Sequence, residues 1–479
     1  MSNTMNTTHT SERFAWPVLF AEWCERQYPV LMGLCLLFGS ALRFWQLDNV
    51  PVAYFDEINI PQFGWAILNE KTGTPFVTAH PPLTHYLFAI AIWLYYLLPW
   101  VDGSVPQSWS QIDPLSYRWL TAALGVCCVF FAGDWLRRLS GSALAGLLLA
   151  LFVAIDASLV VDSRAGLNNI VMLALGLAAL WCWQRAEDAR WHMGWMVAAG
   201  VLFGSVVSIK WNGLGFWLIP VAVLTVSACL SLVDHYRPVS PATGFRWRGP
   251  DASRLLAALV VLPLLSYWLW WQPYLWLEQQ GFLEIHQVMR GFHTQQVGAN
   301  DHPYCSAWYQ WPWQLRPMSY LFELQPALGE SSYRVIHQLG NPALYPLGFI
   351  AALVVLVLLL KSCWRWFVSG VLERTFFIQL AILIGLAANL LPWALVSRCL
   401  FSYHYQPASV FSFAALAWGV ACLVRQPWDS RWRNAVGLVG MGVLLVLVLA
   451  AFWYWLPIAV GYPIDIKHFY RLMWLKSWI

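Results

Sequence analysis

Charge is what this sequence has least of. Only 11% of its 479 residues are Asp, Glu, Lys or Arg, against about 25% in an ordinary soluble domain. A soluble globular chain of this length needs a far more polar surface, so that class is excluded. Disorder is excluded too, because disordered chains are poor in aromatics and 16% of these residues are Phe, Trp or Tyr. Cysteine spacing offers neither a disulfide scaffold nor a zinc site. Most of the ten cysteines, such as Cys35, Cys127, Cys128, Cys182, Cys229 and Cys422, sit in apolar runs and read as small core residues. Cys305 and Cys399 could share one face, but a bond between them is not the expectation. The net charge of +4 lacks the clustered basic faces that nucleic acid requires. Met1 to Ser11 carries no basic n-region, so no cleaved signal peptide is expected. No repeat and no low-complexity tract stands out.

What remains is apolar: 59% of residues are hydrophobic and the mean hydropathy is +0.55. Continuous runs near the spanning length of about 20 residues fall at 28–47, 83–100, 116–136, 140–160, 166–184, 192–209, 211–230, 254–272, 342–360, 375–396, 404–424 and 434–457. Runs of this kind specify an all-α polytopic membrane protein, since barrel strands would show shorter alternating segments. Basic clusters at Arg137/Arg138, Arg185/Arg190, Arg237 to Arg254, Lys361 to Arg374 and Arg425/Arg431/Arg433 are each separated by two runs, and the positive-inside rule puts them together in the cytoplasm. Arg13 and Arg26 place the N-terminus there as well. Parity then requires one early run not to cross. The run 83–100, flanked by Pro81-Pro82 and Pro99-Trp100, best suits an interfacial helix. The expectation is about eleven crossings with the C-terminus outside. That gives a cytoplasmic tail 1–27, a membrane module 28–272 holding a first outer loop 48–115, a second outer loop 273–341, a membrane module 342–457 and an outer tail 458–479, with 231–253 as the main inner linker around Pro238, Pro241 and Gly244.

Ionisable residues at membrane depth are costly and usually functional. Under this topology they gather at one interface: Asp56, Glu57, His80, Arg118, Asp156, Asp162, Arg164, Lys210 and Arg398. Several bases at an outer leaflet suit an anionic group, because Arg and Lys hold phosphate oxygens. A carboxylate beside a phosphate needs its own task, and general base is the obvious one. Each piece alone has a blander reading, such as an arginine snorkelling to headgroups; their co-location carries the argument.

At these residues the sequence resembles the protein O-mannosyltransferases, lipid-phosphate-sugar-dependent enzymes of the GT-C membrane fold. The resemblance is carried by Phe55-Asp56-Glu57, His80-Pro81-Pro82-Leu83, Tyr117-Arg118-Trp119-Leu120, Asp156-Ala157-Ser158 and Asp162-Ser163-Arg164. It continues through Ser208-Ile209-Lys210-Trp211-Asn212-Gly213, His302-Pro303-Tyr304, Leu339-Gly340-Asn341-Pro342 and Arg398-Cys399-Leu400-Phe401-Ser402-Tyr403-His404-Tyr405. Two departures stand out. Thr84-His85 follows the HPPL run where the family often has Gly-Lys, and Asp162 precedes Ser163-Arg164 where it often has Gln. The second outer loop lacks the β-trefoil insert of eukaryotic members, as in bacterial ones.

The resemblance implies transfer of a sugar, mannose by preference, from a polyprenyl phosphate to Ser or Thr of a translocated protein at a plasma membrane. It implies Asp56 as the base, with Glu57 and His80 positioning it. Arg164, Arg398, Lys210 and Arg118 would hold the donor phosphate. Asp162, Tyr403 and His404 would line the substrate pocket with His80. No cofactor is required on this reading; a divalent ion at Asp56 and Glu57 is the minority alternative. Membrane lipids, a second copy of the chain and the translocon are the further expected partners. Trp276, Trp308, Trp311, Trp313, His286, His293 and His302 make the second outer loop aromatic, for sugar or peptide contact or for interfacial anchoring. A lipid or glycan acceptor, as in aminoarabinose transferases, and a transporter are the alternatives. A transporter fits less well, because transporters tend to show inverted repeats and midplane broken helices, whereas here no repeat is visible and the charges lie near one face.

Overall fold

A computed structural model describes residues 16–71, 79–101, 103–236, 249–295, 298, 302–326, 332–370, 372–373, 375–425 and 431–479. Met1 to Ser11, Arg13, Arg237, Arg374 and the linker residues Pro238, Pro241 and Gly244 lie outside them, as do the side chains of Arg425, Arg431 and Arg433.

Among the described residues, eight helices are long and apolar enough to cross a membrane, or up to ten if each of two bent pairs counts as one span. About eleven crossings were expected, and the difference lies in the short and bent helices. The run 192–209 forms a helix, Met193–Val207, of 15 residues, which is short of a spanning length. The run 83–100 forms a 14-residue helix, Leu83–Tyr96, also shorter than a span. The run 28–47 is the second half of a pair bent by 71°, and 140–160 lies within a pair bent by 61°.

The second bend has a local cause. Asp156 caps the helix Ala157–Ser163, its carboxylate accepting from the Leu159 amide at 3.1 Å. The preceding helix, Ala143–Ile155, therefore ends with unsatisfied carbonyls inside the bundle. Arg43 satisfies them: Nη1 donates to the Ala154 carbonyl and Nη2 to the Val153 carbonyl, each at 3.1 Å. Its Nε donates to Ser163 Oγ at 3.1 Å. The guanidinium is fully buried. Gly125 lets these groups approach, since a Cβ there would stand 2.2 Å from Ser163 Oγ and 2.6 Å from Arg43 Nε. Arg43 was hidden within the apolar run 28–47, and only its charge could have marked it.

The most buried helices, Leu115–Ser140, Ala143–Ile155, Asn168–Asp188 and Gln406–Arg425, form the centre of the bundle. The helices Leu344–Ser369 and Arg431–Val460 are peripheral and expose Val357, Val439 and Val446 as a lipid-facing surface.

The fold is not purely α-helical. A three-stranded antiparallel sheet joins β1 (Met318–Leu324), β2 (Ser332–Gln338) and β3 (Pro463–Asp465) in that order. The short strands carry no run long enough to separate them from loop by pattern. β3 brings the C-terminal tail to the end of the bundle that holds the second loop, and Arg316 Nη1 donates to the Ser477 carbonyl at 2.5 Å. A disulfide joins Cys305 to Cys399 with Cα atoms 5.2 Å apart, against expectation. Beside it Cys399 N donates to the Gly298 carbonyl at 3.0 Å and Ser306 N to the Leu400 carbonyl at 2.8 Å. The loop and the segment carrying Arg398 are thus fixed to one another.

Candidate active site

The segment that follows the first bent pair is clamped by a buried ion pair. Arg118, in the first turn of Leu115–Ser140, donates to Glu57 through Nε at 2.8 Å and Nη2 at 2.7 Å. Its remaining donors go to the carbonyls of Val50 at 2.6 Å and Val52 at 2.8 Å. Glu57 also accepts from the amides of Gly166 at 2.7 Å and Tyr54 at 3.2 Å. The side chains are 1% and 0% exposed. A buried pair is tolerated when its donors and lone pairs are well met, and here Arg118 makes four hydrogen bonds and both Glu57 oxygens accept two or more. Glu57 and Arg118 thus form an architectural clamp: Glu57 has the positioning place expected of it, whereas the Arg118 fork, expected at the donor phosphate, is taken up by Glu57 and the carbonyls of Val50 and Val52. Neither lines the cavities described below.

The clamp sets the orientation of its neighbour. Glu57 points inward from the 3₁₀ turn Phe55–Ile58, while Asp56 lines a cavity of ≈ 440 Å³. Phe55 is held in the left-handed region, φ 52°, which costs an ordinary residue about 1–2 kcal/mol. Its ring stacks on Tyr320 at 4.0 Å and 9°, offsetting part of that cost. Among the described residues lining this cavity, Asp56 is the one carboxylate. Burial raises its pKa above the usual carboxylate range, opposed by the charge of Lys210 and by His302. A carboxylate of raised basicity inside a cavity is suited to take a proton.

A second cavity of ≈ 490 Å³ adjoins the first and shares His80, Lys210, His293, Arg398 and His404 with it. Its far side is apolar, lined by Leu214, Leu218, Pro392 and Leu395, between the helices Trp211–Val233 and Phe376–Leu395. A larger cavity of ≈ 900 Å³, near Trp183 and Arg254, lies at the opposite helix ends and holds none of the expected site residues.

The shared wall is cationic. Burial lowers the Lys210 pKa to about 8, against the opposing pull of Asp56 and Asp162, so the ammonium is mostly charged at neutral pH. Arg398 makes one long hydrogen bond among the described residues, 3.4 Å to the Cys399 carbonyl, and most of its fork is open to the cavities. Burial, then the charge of Lys210, pushes His80 well below the ordinary histidine value. His293 is lowered by burial, then by Arg398. The positive charge therefore comes from Lys210 and Arg398, while these histidines stay neutral. Lys210 also lies over the Tyr403 ring at 5.7 Å, and His404 stacks on Trp311 at 6.0 Å.

Six of the ten expected residues meet at these cavities: Asp56, His80, Lys210, Arg398, Tyr403 and His404. Arg164 does not. Its Nη1 donates to the carbonyls of Leu42, Arg43 and Trp45 at 3.1, 3.3 and 2.8 Å, and Nη2 to that of Gln46 at 3.0 Å. It caps the end of the helix Tyr28–Phe44 and has no fork left for phosphate. Asp162 sits behind the wall, fully buried, accepting from Tyr320 Oη at 2.7 Å and Asn169 Nδ2 at 3.0 Å. Asn169 and Tyr320 were missed by sequence reasoning. A polar Asn168-Asn169 pair opening an apolar run was the available signal for the first; Tyr320 had none. Of the loop aromatics, His293 and His302 reach the cavity, whereas His286 is bonded to Tyr267 Oη at 2.7 Å and Trp276 is exposed. Among the described residues no group of three His, Cys, Asp or Glu is placed to hold a metal ion.

This architecture is a polytopic GT-C glycosyltransferase fold. It superposes on the S. cerevisiae protein O-mannosyltransferase Pmt1-Pmt2 complex bound to the sugar donor with a TM-score of 0.75 at 14% identity, covering 95% of this chain and 93% of that one. Residues 33–279 match the family model described as dolichyl-phosphate-mannose-protein mannosyltransferase, and residues 278–478 match the C-terminal four-transmembrane region of protein-O-mannosyltransferase. The chain belongs to the protein O-mannosyltransferase family. It is 25% identical to a polyprenol-phosphate-mannose–protein mannosyltransferase of Mycolicibacterium smegmatis, covering 88% of this chain and 87% of that protein. It is 23% identical to the protein of that name from Mycobacterium tuberculosis, covering 94% and 91%.

Proposed function

We propose that this chain transfers mannose from a polyprenyl-phosphate donor to Ser or Thr hydroxyls of translocated proteins, at the outer face of a bacterial plasma membrane. The observation that supports it best is the pair of adjoining cavities, with Asp56 in one, an apolar cleft in the other and Lys210 and Arg398 between. The cleft takes the first units of the polyprenyl chain. Lys210 and Arg398 meet the phosphate, where negative charge grows as the glycosidic bond breaks; preorganised cations are most effective there. The sugar lies toward Asp56, which accepts the proton of the attacking hydroxyl. With one carboxylate present, attack is a direct displacement and the anomeric configuration inverts. His80, His302, Tyr403 and His404 shape the sugar and acceptor pocket.

The charge at Lys210 supplies a direct test. Lys210→Met should raise KM for the donor and lower kcat, together about 10²-fold in kcat/KM, the scale of one lost transition-state donor. Arg398→Ala should behave alike. A donor KM and kcat within twofold of wild type for both variants would remove the phosphate from this wall.

A further inference from the structure

We infer that Asp162 and Asn169 form a buried positioning relay that holds the Lys210 ammonium in place and charged without competing for the donor phosphate. The inference rests on the proposed placing of that phosphate at Lys210.

The relay runs through three distances. Lys210 Nζ donates to Asn169 Oδ1 at 2.6 Å, Asn169 Nδ2 donates to Asp162 Oδ2 at 3.0 Å, and Tyr320 Oη donates to Asp162 Oδ1 at 2.7 Å. Its chemistry is fixed at each end. An ammonium only donates and a carboxylate only accepts. An amide between them must turn its oxygen to the lysine and its nitrogen to the aspartate, so the orientation of Asn169 is forced. One of the three Lys210 donors is spent on Asn169, leaving two for a ligand.

The amide also sets a distance between charges. A carboxylate directly on Lys210 would form an ion pair, and a phosphate would have to break it. Held one residue back, Asp162 still favours the charged lysine electrostatically but leaves its free donors unoccupied. Lys210 needs such support in its surroundings. Asp56 and Asp162 favour its charge and Arg398 opposes it, while His80, His293 and His404 line the same wall from other elements.

The same carboxylate reaches the other half of the site. Tyr320, which donates to Asp162, is the ring on which Phe55 stacks beside Asp56. Asp162 thus braces both the base-bearing turn and the phosphate-binding lysine from behind the cavity wall.

The test is the pH dependence of donor kcat/KM in purified protein, with polyprenyl-phosphate-mannose as the probe. Activity requires a charged Lys210, so it falls as pH rises through the lysine pKa. Asp162→Asn keeps the shape and loses the charge; its alkaline limb should move down by about one pH unit, with the protein still monodisperse in detergent. Asn169→Ala cuts the relay and should raise donor KM about tenfold while moving the same limb. Lys210→Arg serves as the control, because arginine does not titrate in this range and the limb should vanish. If Lys210→Arg removes the limb while Asp162→Asn and Asn169→Ala leave it in place, the relay is wrong and the phosphate site stands. If Lys210→Arg keeps the wild-type limb, the proposed role of Lys210 fails first and the relay falls with it. Should Asp162→Asn fail to fold, Asn169→Ala with an unmoved limb is enough to overturn the relay.

Discussion

Asp56→Asn should abolish mannosyl transfer, with kcat reduced about 10²–10⁴-fold, the usual contribution of a positioned general base. The variant is nearly isosteric and the clamp that orients its turn, Glu57–Arg118, is untouched. Folding and donor binding should therefore survive, and donor KM should change little. The wild-type acid limb supplies a second signature. Burial lifts the Asp56 pKa above its ordinary value, and the base must be deprotonated, so activity should rise with pH through that raised value. Asp56→Asn should lose this limb along with its rate. Single-turnover transfer with saturating donor separates chemistry from release of the lipid phosphate. Undiminished single-turnover transfer by the variant would exclude Asp56 as the base.

The second large effect is of another kind. Arg118→Ala should destabilise the protein by about 3–5 kcal/mol, because it leaves Glu57 charged, buried and unpaired. The loss should appear in thermal unfolding in detergent and in the yield of folded protein. Replacing both residues with leucine should cost less than the sum of the single replacements, since the two share one interaction. Surviving Arg118→Ala protein should bind donor with a near-normal KM. A stable variant with a strongly raised donor KM would instead put Arg118 on the phosphate.

The contrast between these variants shows what the sequence could and could not say. Asp56 and Glu57 are adjacent acids, and nothing in their order tells which turns inward. That follows from Arg118, a partner 61 residues away in the chain. Arg164 and Arg398 look alike as arginines ending apolar runs. One is consumed by the carbonyls of residues 42–46 and the other is open to the cavities. Side-chain supply of this sort depends on which helix ends fall nearby, which hydropathy does not encode. Helix positions were more legible, since continuous apolar runs set them. The bends were less so: Asp156 reads as one more buried charge until its cap to Leu159 and the answering Arg43 are seen. The strands at 318–324 and 332–338 were hard to read because neither carries a run that separates it from loop, and the edge that the second shares with residues 463–465 of the C-terminal tail is non-local. The disulfide was likewise settled by the packing of two loops rather than by spacing. The lysine turn at Ser208–Gly213 and the Arg398–His404 segment were readable because their charges break otherwise apolar sequence at one face.

The measurement closest to the central claim follows the sugar itself. Purified wild-type protein is incubated with polyprenyl-phosphate-[³H]mannose and a secreted Ser/Thr-rich acceptor. Label should enter the protein fraction and be released by alkaline β-elimination as an O-linked sugar, and NMR of the intact glycopeptide should show an anomeric configuration inverted relative to the donor. Label that enters lipid or glycan but never the protein would contradict it.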